Sequence, residues 1–162
     1  MNKNNFCGRV KTTVQDSYNT PKNAWGDILQ YINKDQMLWL PFYNDGTAKK
    51  ILKEIGYNNV IHENKDFFSY FINDCILIDN PPFSIKEKII KRLYERKFKF
   101  CLLLPLDTLE RKYILKYKYN LQIIVPNNRY KYTKKGNPPF KSCWFCWNME
   151  HFLKTDKQLI FL

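Results

Sequence analysis

Asn80-Pro81-Pro82-Phe83 follows the apolar run Cys75-Ile76-Leu77-Ile78 and Asp79, and its four residue types suit one kind of chemistry. The Asn side chain offers a carbonyl acceptor. A residue that precedes proline is held extended and presents its own backbone carbonyl in a fixed direction, so Pro81 supplies a second acceptor. A planar exocyclic amine has two N–H donors, but its lone pair is tied up in the ring and it is a poor nucleophile. Two fixed acceptors hold such an amine and draw charge toward its nitrogen as a methyl group arrives. Phe83 is placed to stack on a flat base, a contact worth roughly 1–3 kcal/mol. The same tetrad recurs at Asn137-Pro138-Pro139-Phe140, but between a basic loop and an aromatic run, where it reads as part of a late turn.

The elements that must position the first tetrad follow from the apolar pattern. Residues 75–78 form a short strand buried on both faces, which the two prolines end because they cannot donate to a sheet ladder. Ser84 is suited to cap a helix from residue 85 to about residue 96, with Ile85, Ile89, Ile90 and Leu93 on one face. Upstream, Thr20 as N-cap and Pro21 at the first helical position open a helix through Ile28, Leu29 and Ile32. Residues 37–42 read as a strand, 43–47 as a turn, 48–55 as a helix closed by Gly56, and 59–63 as a second strand. Downstream, strands at 98–104, 121–125 and 142–147 enclose a helix at 109–117, and 159–162 adds an edge strand. Strands alternating with helices at this spacing predict an α/β fold on a parallel sheet, with the tetrad at the ligand-binding edge. Residues 18–162 make one domain, preceded by a loose arm at 1–17.

The net charge of +12, from 27 Lys and Arg against 15 Asp and Glu, points to a polyanionic partner, nucleic acid first. Residues 127–136 interleave Arg129, Lys131, Lys134 and Lys135 with Tyr130 and Tyr132, a pattern that holds phosphates while stacking bases. The five cysteines, with no signal peptide and no apolar run near membrane length, predict a reduced, intracellular protein, cytoplasmic or nuclear. Cys143 and Cys146 lie three apart in a strand and so face opposite ways, which makes them core residues and leaves no metal site. His62, with no paired nucleophile, reads as structural.

Asn80-Pro81-Pro82-Phe83 resembles the (Asp/Asn/Ser)-Pro-Pro-(Tyr/Phe/Trp) motif of S-adenosylmethionine-dependent amino-methyltransferases, above all the small adenine-N6 methyltransferases of phages and other viruses. Tyr18-Asn19-Thr20-Pro21 is similar to the family's Tyr-x-Thr-Pro opening. Pro41, Phe42 and Gly46 match its (Asp/Glu)-Pro-Phe-x-Gly-x-Gly turn, whereas Leu40 stands at the acidic position and Asn44 at the first glycine. Residues 139–147 resemble its closing Pro-Phe-x-Ser-x-Trp-x-Cys-Trp segment, and the likeness covers roughly residues 18–149 in the family's order.

The resemblance implies a Rossmann-like class I methyltransferase fold with a mostly parallel seven-stranded sheet and helices on both faces. It implies S-adenosylmethionine as cofactor, held by Tyr18, Thr20, Pro41, Phe42, Asn44, Asp45 and Gly46, with Glu63 on the ribose and Asp66 and Phe67 at the adenine. Asn80, Pro81, Pro82 and Phe83 then carry methyl transfer to adenine N6, in DNA before RNA, from a base flipped out of a duplex. The chain has no room for a separate target-recognition domain, so sequence selectivity is expected to be slight, to be carried by the 127–136 loop, or to be supplied by a protein partner or a homodimer. Two other readings share the motif: methylation of guanine N2 in RNA or of a protein glutamine, and a catalytically degenerate fold that binds nucleic acid or supports a partner. Leu40 and Asn44 argue for the last of these.

Overall fold

The computed structural model describes residues 6–7, 10–11, 18–132 and 138–162. Short strands β1 (Phe6–Cys7) and β2 (Val10–Lys11) pair as an antiparallel ribbon in the segment read as a loose arm. The body is an α/β sheet of seven strands: β3 (Leu38–Trp39), β4 (Val60–Ile61), β5 (Ile76–Asp79), β6 (Phe100–Pro105), β7 (Leu121–Val125), β8 (Ser142–Trp147) and β9 (Leu159–Phe161). Their order is β4-β3-β5-β6-β8-β7-β9. Six strands run the same way, and β8 is antiparallel to both of its neighbours.

Helices cover both faces because the central strands alternate apolar side chains to each side. Ile76 and Ile78 of β5 pack with Trp25 and Leu29 of α1 (Lys22–Leu29) and Leu52 of α2 (Thr47–Ile55). Leu77 between them faces Ile89, Ile90 and Leu93 of α3 (Lys86–Glu95). Burying each such aliphatic side chain contributes about 1.5–3 kcal/mol, which is what holds the layers. The Trp144 indole N–H donates to the Ala24 carbonyl at 3.0 Å and pins β8 to α1. Cys143 and Cys146 lie in opposite core layers, as their spacing requires. Among the described residues no helix is long and apolar enough to cross a membrane.

The topology opens one crevice. From β3 the chain passes through α2 outward to β4, then returns beyond β3 to β5 on its other side. The connections leaving the C-terminal ends of β3 and β5 therefore diverge, and such a switch point is where open α/β sheets bind ligands.

Several boundaries differ from the sequence expectation. Helix α1 starts at Lys22 with Pro21, not Thr20, at the cap position, and no side chain caps it. Thr20 precedes a proline, which keeps it out of the conformation a helix would continue, and it is buried. A turn of 3-10 helix at Phe83–Ile85 comes before α3, so the α-helix begins after Ser84 and Ile85. The helix expected at 109–117 is broken. A 3-10 turn at Leu106–Glu110, in which Thr108 is buried, and an extended Arg111 leave only α4 (Lys112–Leu115).

Candidate functional site

The turn after β3 and the tetrad after β5 meet in the crevice. Between them lies a cavity of about 30 Å3, walled by Tyr18, Thr20, Trp25, Phe42, Tyr43, Asn44, Asp45, Asp79 and Asn80 among others. Asn80 is oriented by its own amide: its Nδ2 donates to the Tyr18 carbonyl at 3.2 Å. That contact fixes the opposite end of the amide. The Asn80 Oδ1 is buried and accepts no hydrogen bond among the described residues. A buried acceptor left unpaired costs about 1–3 kcal/mol, so Oδ1 is poised to accept a hydrogen bond from a water or a ligand donor at this edge. Pro81 and Pro82 are buried beside it, and Phe83 is half-buried.

The opening segment folds over the turn. The Asn44 amide donates to Asn19 Oδ1, and Asn19 Nδ2 donates to Asp45 Oδ2 at 2.6 Å. Asp45 Oδ1 accepts the Thr47 N–H at 3.0 Å and the Thr47 hydroxyl at 2.7 Å. Burial pushes the Asp45 carboxyl up, but these bonds from Thr47 and Asn19 outweigh it and hold it below its ordinary value. Asn44 (φ 48°) and Gly46 (φ 81°) are both left-handed, a conformation that Asn tolerates better than most residues. A Cβ on Gly46 would come within 2.6 Å of the Tyr43 hydroxyl. Tyr43 lies across the turn and stacks on His62 with ring centroids 4.8 Å apart.

Asp79 is the residue that the sequence reading passed over. It ends β5, is fully enclosed, and accepts the Phe42 N–H at 2.7 Å through Oδ2 and the Asn80 N–H at 2.8 Å through Oδ1. One carboxyl thus ties the turn to the tetrad. Burial drives it well above the ordinary carboxylate range, and the two N–H bonds only partly oppose this. The register explains its position: Leu38 pairs with Ile76 and Trp39 with Leu77, so Asp79 stands beside Pro41, one step beyond Leu40. The signal was present in the sequence as an Asp inside an apolar strand, where only an internal hydrogen-bonding role keeps such a residue.

The other expected contacts are placed apart from this cavity. Glu63 is exposed, pairs with Lys65 at 3.0 Å and accepts the Tyr70 hydroxyl at 3.0 Å; the Lys65 and Tyr70 bonds hold its carboxyl below the ordinary value. Asp66 is half-buried and accepts the Phe68 N–H at 3.2 Å. Phe67 is enclosed between Trp39 and Phe42, with centroids 5.9 and 5.4 Å away, so its ring belongs to the core. Pro41 is buried at the end of β3. His62 donates or accepts at Nδ1 with the Leu40 carbonyl at 2.8 Å, and burial holds its imidazole below the ordinary value. This is the structural role expected of it.

The basic loop divides by face. Arg129 and Lys131 are exposed, whereas Tyr130 and Tyr132 point inward, the Tyr130 hydroxyl donating to Asp27 at 2.7 Å and the Tyr132 ring packing edge-on against Tyr18. With their rings in the core, the two tyrosines are not presented for base stacking, and the surface that remains is cationic. Lys134 and Lys135 lie outside the described residues. Among the described residues no cluster of His, Cys, Asp and Glu has the makings of a metal site. The chain matches no protein-family model, and no curated protein aligns with it significantly.

Proposed function

We propose that the chain is an S-adenosylmethionine-dependent methyltransferase of Rossmann-like class I fold, acting on adenine N6 in nucleic acid, DNA before RNA. The observation that carries this reading is the unpaired, buried Asn80 Oδ1 at the crevice between β3 and β5. The electrostatics support it. In a chain of net charge +12, the cavity wall carries no basic side chain among the described residues; its two carboxyls are Asp45, whose hydrogen bonds favour the charged form, and Asp79, whose burial favours the neutral one. A cationic or N–H-rich ligand fits such a wall, and a phosphate does not.

The residues present fit the cofactor at its methionine end. Asn44, Asp45 and Gly46 form a turn beside Tyr18 and Thr20 that is left-handed at Asn44 and Gly46, and its carboxylate is that of Asp45, since both oxygens of the buried Asp79 are taken by backbone N–H groups. The cavity of about 30 Å3 has room for little more than a water, so cofactor entry requires its wall, of which Tyr43 is part, to open. Held there, S-adenosylmethionine would supply an electrophilic methyl group to the amine nitrogen, its sulfonium leaving as the thioether. Asn80 Oδ1 and the Pro81 carbonyl accept the two amine N–H bonds and hold the lone pair toward the methyl. Asp79 and the Tyr18 carbonyl keep Asn80 from turning, and Phe83 stacks on the base. The surplus proton leaves the product amine for water.

A second reading, a non-catalytic fold that binds nucleic acid, is favoured by Tyr43 lying across the turn and by Leu40. Calorimetric titration with S-adenosylmethionine, followed by methyl-transfer assays on DNA and RNA, separates the two. The enzyme reading expects cofactor binding, methylated adenine, and an Asn80→Ala variant that binds cofactor but transfers nothing. Full activity in Asn80→Ala removes the tetrad from the mechanism, and a folded chain that binds no cofactor even with nucleic acid present makes the second reading the leading one.

A further inference from the structure

Cys101 and Cys146 are 45 positions apart in the sequence, yet they stand directly opposite each other in the sheet, on β6 and β8. The hydrogen-bond pattern fixes what kind of pair they make. In an antiparallel ladder, opposed residues alternate between pairs that exchange backbone hydrogen bonds and pairs that do not. Leu106 donates its N–H to the Lys141 carbonyl at 2.8 Å, so that pair exchanges bonds, and Pro105, which has no N–H, faces Ser142 in a pair that does not. Stepping back by two residues at a time, Leu103 with Trp144 and Cys101 with Cys146 are pairs of the same open kind. In such pairs the Cα atoms approach to about 4.5 Å, within the roughly 4.4–6.8 Å that a disulfide spans. Both side chains lie on the α1 face of the sheet and are fully buried, whereas Cys75 and Cys143 pack on the opposite face.

We propose that Cys101 and Cys146 are a reversible disulfide site, a cross-strand bond that staples β8 to β6 and is made by exchange with a small disulfide of the glutathione type. One protein thiolate attacks the small disulfide and displaces a small thiolate, leaving a mixed disulfide; the second protein thiolate attacks the protein-side sulfur of that bond and displaces the other small thiolate. The protein gives up two electrons and two protons in all, and the small disulfide becomes two thiols. Burial, and then the neighbouring Cys146 thiol, push the Cys101 thiol up, so in the closed sheet it stays protonated and unreactive. The bond therefore forms as the chain folds or as this part of the sheet opens, and the same packing then shields it from reduction. Because it closes a loop of about 45 residues, it restricts the unfolded chain more than the folded one and stabilises the fold. The site is independent of the methyltransferase reading.

The test refolds the full chain from urea in a glutathione buffer rich in the oxidised form and, in parallel, in dithiothreitol. Access to the thiols is then not limiting. Free thiols are alkylated in denaturant, counted by intact mass and placed by peptide mapping. In the oxidising buffer two of the five thiols should be lost to alkylation, in the peptides that carry Cys101 and Cys146. Tm should rise by about 10 °C over the reduced protein, a gain that dithiothreitol in urea removes. A variant with Cys7→Ser, Cys75→Ala and Cys143→Ala should still form the bond, whereas Cys146→Ala should form no internal bond and show no gain. Five alkylated thiols in the oxidising buffer, a bond that maps to other cysteines, or a bond between Cys101 and Cys146 that lowers Tm overturns the proposal, the last because the native register would then not accommodate it.

Discussion

Replacing Asp79 by asparagine tests whether one carboxyl ties the turn to the tetrad. Both carboxyl oxygens are used, one by the Phe42 N–H at 2.7 Å and one by the Asn80 N–H at 2.8 Å. In Asp79→Asn the amide oxygen can keep one of these bonds. The amide NH2 then faces the other N–H, and a hydroxyl oxygen can accept where an amide nitrogen cannot. One buried N–H is left unpaired, at a cost of about 2 kcal/mol, which is roughly thirtyfold in the folding constant and about 4–8 °C in Tm at this chain length. The pH dependence has a definite sign. Burial raises the folded-state pKa of Asp79 above the ordinary 3.8, so its contribution to stability is full below that value and is lost as pH rises through the folded pKa. The amide does not titrate. The deficit of Asp79→Asn should therefore be largest in mild acid and shrink toward pH 8. Urea unfolding followed by tryptophan fluorescence, repeated from about pH 5 to 8, measures it. A deficit that grows with pH would mean that the folded protein stabilises an ionised Asp79, and the account of the carboxyl would fail.

The turn and the basic loop give further expectations. Gly46→Ala should destabilise the fold by about 1–2 kcal/mol for the left-handed backbone and more for the approach to Tyr43. Thermal denaturation of Gly46→Ala with and without Tyr43→Ala checks the steric share, which the double variant should recover. Tyr130→Phe loses the hydrogen bond to Asp27 and about 1 kcal/mol of stability, yet should leave nucleic-acid affinity unchanged because the ring faces the core. Charge reversal at Arg129 and Lys131 should weaken binding and flatten its salt dependence by roughly 0.9 per lost phosphate contact on duplex DNA, read from binding isotherms across salt.

The sequence by itself determined the layers and the strand end at which the tetrad sits. Strands β5, β6, β7 and β8 were legible because short, mostly apolar runs that end at proline or asparagine admit few other readings. The tetrad's position at a strand end followed from proline's missing N–H. Boundaries at 83–86 and 106–117 were not legible, since 3-10 turns and short helices are settled by what the neighbouring side chains bury. Nor could periodicity show that Tyr130 and Tyr132 turn inward, because alternating basic and aromatic residues look alike on a binding loop and on a strand-like segment with one face in the core.

Only the tertiary structure decided which residues share the crevice. Tyr18, Asp45 and Asn80 are far apart in sequence and meet because β3 and β5 are neighbours that send their connections in opposite directions. The reversal of β8 brings Phe140 to Phe83, 57 positions away, by the same logic of strand direction. Residue types set what each group can donate, accept or stack against. Which of them face one another depends on strand order and register, and those are fixed by the packing of both sheet faces together.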